Sequence, residues 1–429
     1  PLRLPAGSVA NTRFSGIFRD ASVSGVTPLA APPARTTLLD IVLRIRDALF
    51  GREIFRALAM PGRVPSIDLF RGVAITTVVL YHGGVLPYGY LGVDVFFVVS
   101  GLLIGRILVA KWDSEEPFRF PEFFLARGFK IWPSYYAMLF IGSLFAFFAY
   151  RTGRPNLVIA PENLARYVFF FQNYRGTPHP SFDHVWSLCV EEHFYILLPL
   201  SMIVLRRFFG RSEKALFGLV FVAILLGIAA KMLGHRLGRE TYAATHNRID
   251  ALAWGVLLAT LVRFRGAAVA RLPRLPLFGA GVLLFAAVVG FDAFAAHRGL
   301  AISHYFHGVV LFSVGPAAVF LALLGAYHLD PSRAPAPFQA LFAPLRFVAY
   351  YSYNWYLWHP VIGPALHDHL GWGLRGALLY VWITFAVGVL FTVHVEEPAL
   401  ALRERLLPKA TSKTSKASVA ASGSPTATP

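Results

Sequence analysis

Apolar residues fall in blocks of roughly twenty, the length a helix needs to cross the hydrocarbon core of a bilayer. The blocks centre on residues 69–88, 90–110, 131–150, 185–205, 215–233, 249–262, 277–294, 305–327, 347–365 and 376–394, with short polar segments between them. The pattern predicts an all-α polytopic membrane protein with about ten transmembrane helices. A shorter apolar piece at 164–172 is too short to span and reads as re-entrant or interfacial. Residues 37–60 mix Leu38, Val42, Ile45 and Leu49 with Arg44, Arg46, Arg52 and Arg56. That mixture suits either a helix lying on the membrane surface or an ordinary helix packed on a cytosolic loop.

Composition points the same way. Of 429 residues, 56% are hydrophobic and only 15% are charged, a balance that a soluble domain of this size could not carry on its surface. The formal net charge is +17, and its placement matters more than its size. Arginines crowd the N-terminal side of the first block, while the turn 82–92 carries no Lys or Arg, which places the N-terminus in the cytoplasm. An even number of helices returns the C-terminus to the same side. The inner loops then hold Arg206, Arg207, Arg211 and Lys214, followed by Arg263, Arg265, Arg271 and Arg274, facing membrane lipid. Two outer loops are basic as well, one through Arg151, Arg154, Arg166 and Arg175, the other through Lys231, Arg236, Arg239 and Arg248. The expected organisation is a cytoplasmic tail over 1–62, a membrane domain over 63–405 and a disordered cytoplasmic tail over 406–429.

Several function classes drop out. No soluble basic module is present, so nucleic acid is not an expected partner. Cys189 is the one cysteine, which leaves no disulfide framework. HxxxH and HExxH spacings are absent, so a zinc site is rejected. No internal repeat is visible, which weighs against a glycan or lipid-linked sugar transporter or flippase, the alternative that would also need intramembrane charge.

Ionisable residues inside apolar blocks are costly and therefore mark function. Arg71 and His82 share the first block, eleven positions or about 16 Å apart on a helix. A cation at one end suits an incoming phosphate-bearing donor, and a histidine further along suits a general base. Asp94 follows across the turn as the carboxylate that would orient His82. Trp186 to Tyr195 place two acids, Glu191 and Glu192, in an apolar setting, where one of them would meet an acceptor hydroxyl or an arginine. Because neighbours on a helix point about 100° apart, only one acid can face a given cavity. Trp186, Tyr195, Arg248 and His359 are candidate substrate contacts, and Gly101 and Gly105 fit a close helix approach.

These residues lie in blocks that resemble the acyltransferase-3 family of integral membrane O-acyltransferases. The blocks run from Ile67 through Arg71 to His82, from Gly89 to Gly101, from Phe123 through Arg127 and Lys130 to Tyr135, and from Trp186 to Pro199. They continue with Arg248 to Leu252, Ser352 to His359 and Glu396 to Pro398. The resemblance implies transfer of an acyl group, most often acetyl, from cytosolic acetyl-CoA to a hydroxyl of an envelope or exported glycan at the inner membrane. It implies that His82, Asp94 and Glu191 are catalytic, that Arg71, Arg127 and Lys130 bind the acyl-CoA, and that Glu192 joins the substrate contacts. Departures from the family pattern occur at Gly128, His193, Asn354 and Trp355. Whether transfer is direct or passes through an acyl-histidine is left open by the residues.

Overall fold

The structure, a computed structural model, describes residues 64–407 apart from 117, 152–158, 160, 176–178, 180, 330–335 and 371–372. The surface helix expected over 37–60 and both tails lie outside the described residues. Within them every regular element is helical: α1 Pro65–His82, α2 Gly92–Trp112, α3 Phe120–Arg151, α4 Pro161–Val168, α5 Gln172–Arg175, α6 Trp186–Phe209 and α7 Glu213–Arg236. Next come α8 Thr245–Arg271, α9 Arg274–His297, α10 Phe312–Ala326, α11 Ala336–Leu370, α12 Leu374–Phe391 and α13 Glu397–Leu406. The protein is a polytopic α-helical membrane protein.

Eight helical segments among the described residues are long and apolar enough to cross a membrane, against the expectation of about ten. The two blocks missing from that set do form helices, α1 and α11. Asp68, Arg71 and His82 lower the apolar character of α1, and Ser352, Asn354 and His359 do the same for α11. These two helices pack along each other, so their polar positions meet inside the protein rather than in lipid.

Two helix boundaries differ from the apolar pattern for physical reasons. Helix α1 stops at His82, not near residue 88, because Gly83 and Gly84 follow and Gly84 adopts φ +73°. Helix α8 starts at Thr245, earlier than expected, because Arg248 and Asp250 are charged yet buried. The short piece expected at 164–172 becomes α4 and α5 with a break between them, where Phe170 takes φ +60° and stacks on Tyr135 at 4.4 Å.

Packing is closest between α2 and α8. A Cβ on Gly101 would stand 1.9 Å from the Leu252 carbonyl oxygen, so the expected close approach is made there and only glycine permits it. Beside this contact lie two ion pairs. Lys231 Nζ reaches Asp250 Oδ2 at 2.6 Å and the carbonyls of Phe312 and Asn247 at 3.0 and 3.1 Å, and Arg248 pairs with Asp94. Lys231 and Arg248 are therefore core residues, not the outer-loop cations that the sequence suggests. Hydropathy counts charges but does not see which of them are paired.

Candidate active site

Two cavities meet in the middle of the bundle. One, of about 380 Å³, is lined by Arg71, Arg127, Lys130, Arg403, Glu191 and Tyr195, with Ser100 and Ser352 among its polar neighbours. The other, of about 630 Å³, is lined by His82, His184, His307, Asp183, Trp186 and Tyr242. Val93 and Tyr356 border both. Arg71 near the start of α1 and His82 at its end thus open onto different cavities, as their spacing along one helix requires.

In the Arg71 cavity, Arg71 Nη2 donates to Ser352 Oγ at 2.9 Å, a contact between α1 and α11. Lys130 pairs with Glu396, and Arg127 keeps a buried Nε–H without a hydrogen-bond partner. Glu191 accepts from Tyr195 at 2.6 Å and from Ser100 at 3.0 Å. Arg403 joins from α13, beyond the last of the motif blocks, which ends at Pro398. Four cationic side chains and an orphaned guanidinium N–H suit an anionic, phosphate-bearing ligand.

Three histidines cluster at the edge of the His82 cavity: His82 and His184 line it, and His359 lies buried behind them. The His359 ring lies 4.9 Å from that of His82 and 5.6 Å from that of His184. His184 Nε2 lies 3.1 Å from the Leu357 carbonyl oxygen, which fixes Nε2 as the protonated nitrogen and leaves the buried Nδ1 without a partner. Sequence reading missed His184 because the block that caught attention begins two residues later, at Trp186. Tyr356 OH donates to the His184 carbonyl at 2.7 Å and lies 2.7 Å from Ser187 Oγ, so hydrogen bonds pin the wall between the cavities.

The structure pairs several of the expected site residues with other partners than the sequence suggested. The Asp94 carboxylate does not orient His82, because Oδ1 goes to Arg248 and the buried Oδ2 has no hydrogen-bond partner. Arg248 lines neither cavity; its guanidinium lies within 6 Å of the Phe97, Trp186, Tyr242 and Phe312 rings. Burial pushes the Tyr242 hydroxyl well above the ordinary tyrosine range, with Arg248 pulling the other way, so it is a neutral phenol there. Glu191 opens onto the Arg71 cavity rather than onto His82. Glu192 turns to another side of α6, where Trp132 Nε1 lies 3.4 Å from Oε2 and the buried Oε1 is unpartnered. Of the remaining substrate candidates, Trp186 borders the His82 cavity, Tyr195 borders the Arg71 cavity, and His359 lies buried beneath His82.

The family model for the acyltransferase domain of acyltransferase family 3 matches residues 64–394. This chain belongs to that family. The match begins at the residue before α1 and ends within the π-helical turn Thr392–Glu396, so it takes in both cavities apart from α13. Among curated proteins, the peptidoglycan O-acetyltransferase OatA of Listeria monocytogenes is 28% identical over 358 residues, covering 78% of this chain and 55% of the relative. The O-acetyltransferase OatA of Staphylococcus aureus is 25% identical over 331 residues, covering 70% of this chain and 51% of the relative. The chain therefore spans about half the length of the curated relatives it matches. No solved structure matches it.

Proposed function

We propose that the chain is a membrane O-acyltransferase that moves an acyl group, acetyl foremost, from cytosolic acyl-CoA to a hydroxyl of an envelope or exported glycan. The observation that carries this reading is the back-to-back pair of cavities, cationic at the Arg71 end and histidine-lined at the His82 end, separated by Val93 and Tyr356. The names of the curated relatives support a glycan acceptor and an acetyl group. In this reading the Arg71 end faces the cytosol, both termini lie on that side, and the protein resides in the cytoplasmic membrane.

Arg71, Arg127, Lys130 and Arg403 would hold the donor phosphates, and the acyl thioester would reach the wall at Tyr356. His82 would take the proton of the acceptor hydroxyl as that oxygen attacks the thioester carbonyl carbon. A new C–O bond forms, the C–S bond breaks, and the proton passes on to the departing thiolate. In this reading His184 Nδ1 and His359 Nε2, buried and without hydrogen-bond partners, would steady that proton.

The test is transfer of radiolabelled acetyl from acetyl-CoA into glycan by membranes containing wild type or His82→Ala at equal abundance. Label with wild type alone supports the reading. Label remaining on the protein would identify an acyl-histidine route. No label with either, in the presence of the host's own glycans, would overturn transfer of acetyl from acetyl-CoA and leave transport or a different acyl donor.

A further inference from the structure

A histidine–carboxylate pair stands at the His82 cavity, apart from the three clustered histidines. His307 belongs to a π-helical turn, Phe306–Leu311, that leads into α10. Such turns add a residue to the helix, re-aim side chains and recur at functional sites. His307 Nδ1 lies 3.0 Å from Asp292 Oδ2, and Asp292, on α9, is only 2% exposed. The same carboxylate oxygen accepts from Tyr88 OH at 2.9 Å. His307 itself borders the cavity with its side chain 50% exposed.

This arrangement sets the chemistry of the imidazole. A carboxylate on Nδ1 fixes the tautomer that carries hydrogen there, leaving Nε2 as a lone-pair acceptor. Around it stand aromatic rings, with Phe312 at 5.4 Å and Tyr90 at 6.4 Å, and Tyr242 beyond Tyr90 at 6.2 Å. A directed acceptor beside aromatic faces suits a pyranose, whose C–H face lies against rings while its hydroxyls donate. A purely structural pair would not need its imidazole half exposed.

We propose that His307 is an acceptor-sugar contact, its Nε2 receiving a hydrogen bond from a hydroxyl other than the one acylated, with the sugar ring laid against Tyr90 and Tyr242. Asp292 and Tyr88 act through His307 and are positioning residues. The ligand class is a pyranose with free secondary hydroxyls. The assignment rests on the acyltransferase reading above.

The experiment uses the full chain in proteoliposomes with acetyl-CoA as donor and a soluble β-1,4-linked N-acetylglucosamine tetramer as acceptor probe. His307→Ala is expected to raise the KM for the tetramer about tenfold, the effect of losing one directed hydrogen bond. The KM for acetyl-CoA and the release of CoA without acceptor should stay as in wild type. His307→Gln, which keeps an acceptor atom, should recover part of the loss, and Asp292→Asn should show a smaller rise than His307→Ala. An unchanged acceptor KM in His307→Ala, or a fall in kcat alone, overturns the proposal. If wild type transfers no acetyl, the acyltransferase reading fails by itself. Tetramer binding is then read by quenching of tryptophan fluorescence, since Trp186 borders the same cavity. Tenfold weaker binding in His307→Ala supports the sugar contact; equal binding, or none by wild type, overturns it.

Discussion

The imidazoles of His82 and His359 meet edge to face with ring centroids 4.9 Å apart. His359 Nδ1 is held by the carbonyls of Tyr356 and Trp355, at 2.8 and 3.1 Å, so its hydrogen sits there and the buried Nε2 is a bare acceptor. Together with His184 it surrounds the proposed base with neutral, oriented imidazoles. We predict that His82→Ala lowers kcat by about 10²–10⁴-fold, the usual worth of a general base. His359→Gln should cost about tenfold in kcat, with the donor KM unchanged, in the labelled-acetyl assay. Equal loss from both variants would mean that the two imidazoles act as one unit and that His82 alone does not carry the step.

Asp94 is expected to matter for stability before it matters for chemistry. Asp94→Asn strands the Arg248 guanidinium among four aromatic rings, and losing one partner of a buried pair typically costs about 3–5 kcal/mol. The melting temperature in detergent should fall accordingly. Replacing both partners, Asp94→Asn with Arg248→Met, should restore much of it. A single variant that melts like wild type yet is inactive would return Asp94 to a direct catalytic role.

Arg403 tests the donor cavity from an element outside the matched family region. Arg403→Ala should raise the KM for acetyl-CoA about tenfold and leave kcat in place, as loss of one charge-assisted contact in the ground state would. The shift should shrink as ionic strength rises. A lowered kcat with an unchanged KM would remove Arg403 from donor binding.

The α2–α8 contact is expected to be intolerant of even one methyl group. Gly101→Ala places a Cβ against the Leu252 carbonyl and should destabilise the bundle by about 1–3 kcal/mol, read as a lower melting temperature. Because α2 also carries Val93, part of the wall between the cavities, activity should fall alongside stability. A variant as stable as wild type would show that α2 and α8 can separate without strain.

Blocks of apolar residues long enough to cross a bilayer determined the helical membrane architecture, since in lipid the backbone must satisfy its own hydrogen bonds. The motif blocks around Arg71, His82, Arg127, Lys130 and Glu191 likewise marked where polar chemistry would gather. What sequence could not assign was partnership. Asp94 lies close to His82 in the chain, yet its carboxylate goes to Arg248 on α8. Glu191 and Glu192 are neighbours that leave α6 in different directions, and Lys231 looks like a loop cation until Asp250 meets it in the core. His184 and His307 carry no signal of their own, because a lone histidine becomes informative only when a carbonyl or a carboxylate fixes its tautomer. The division into two cavities was equally out of reach, since the wall between them joins Val93 on α2 to Tyr356 on α11, far apart in the chain. Periodicity along one chain records which residues avoid water; which charges neutralise one another, and which face a shared space, is decided only when distant helices come into contact.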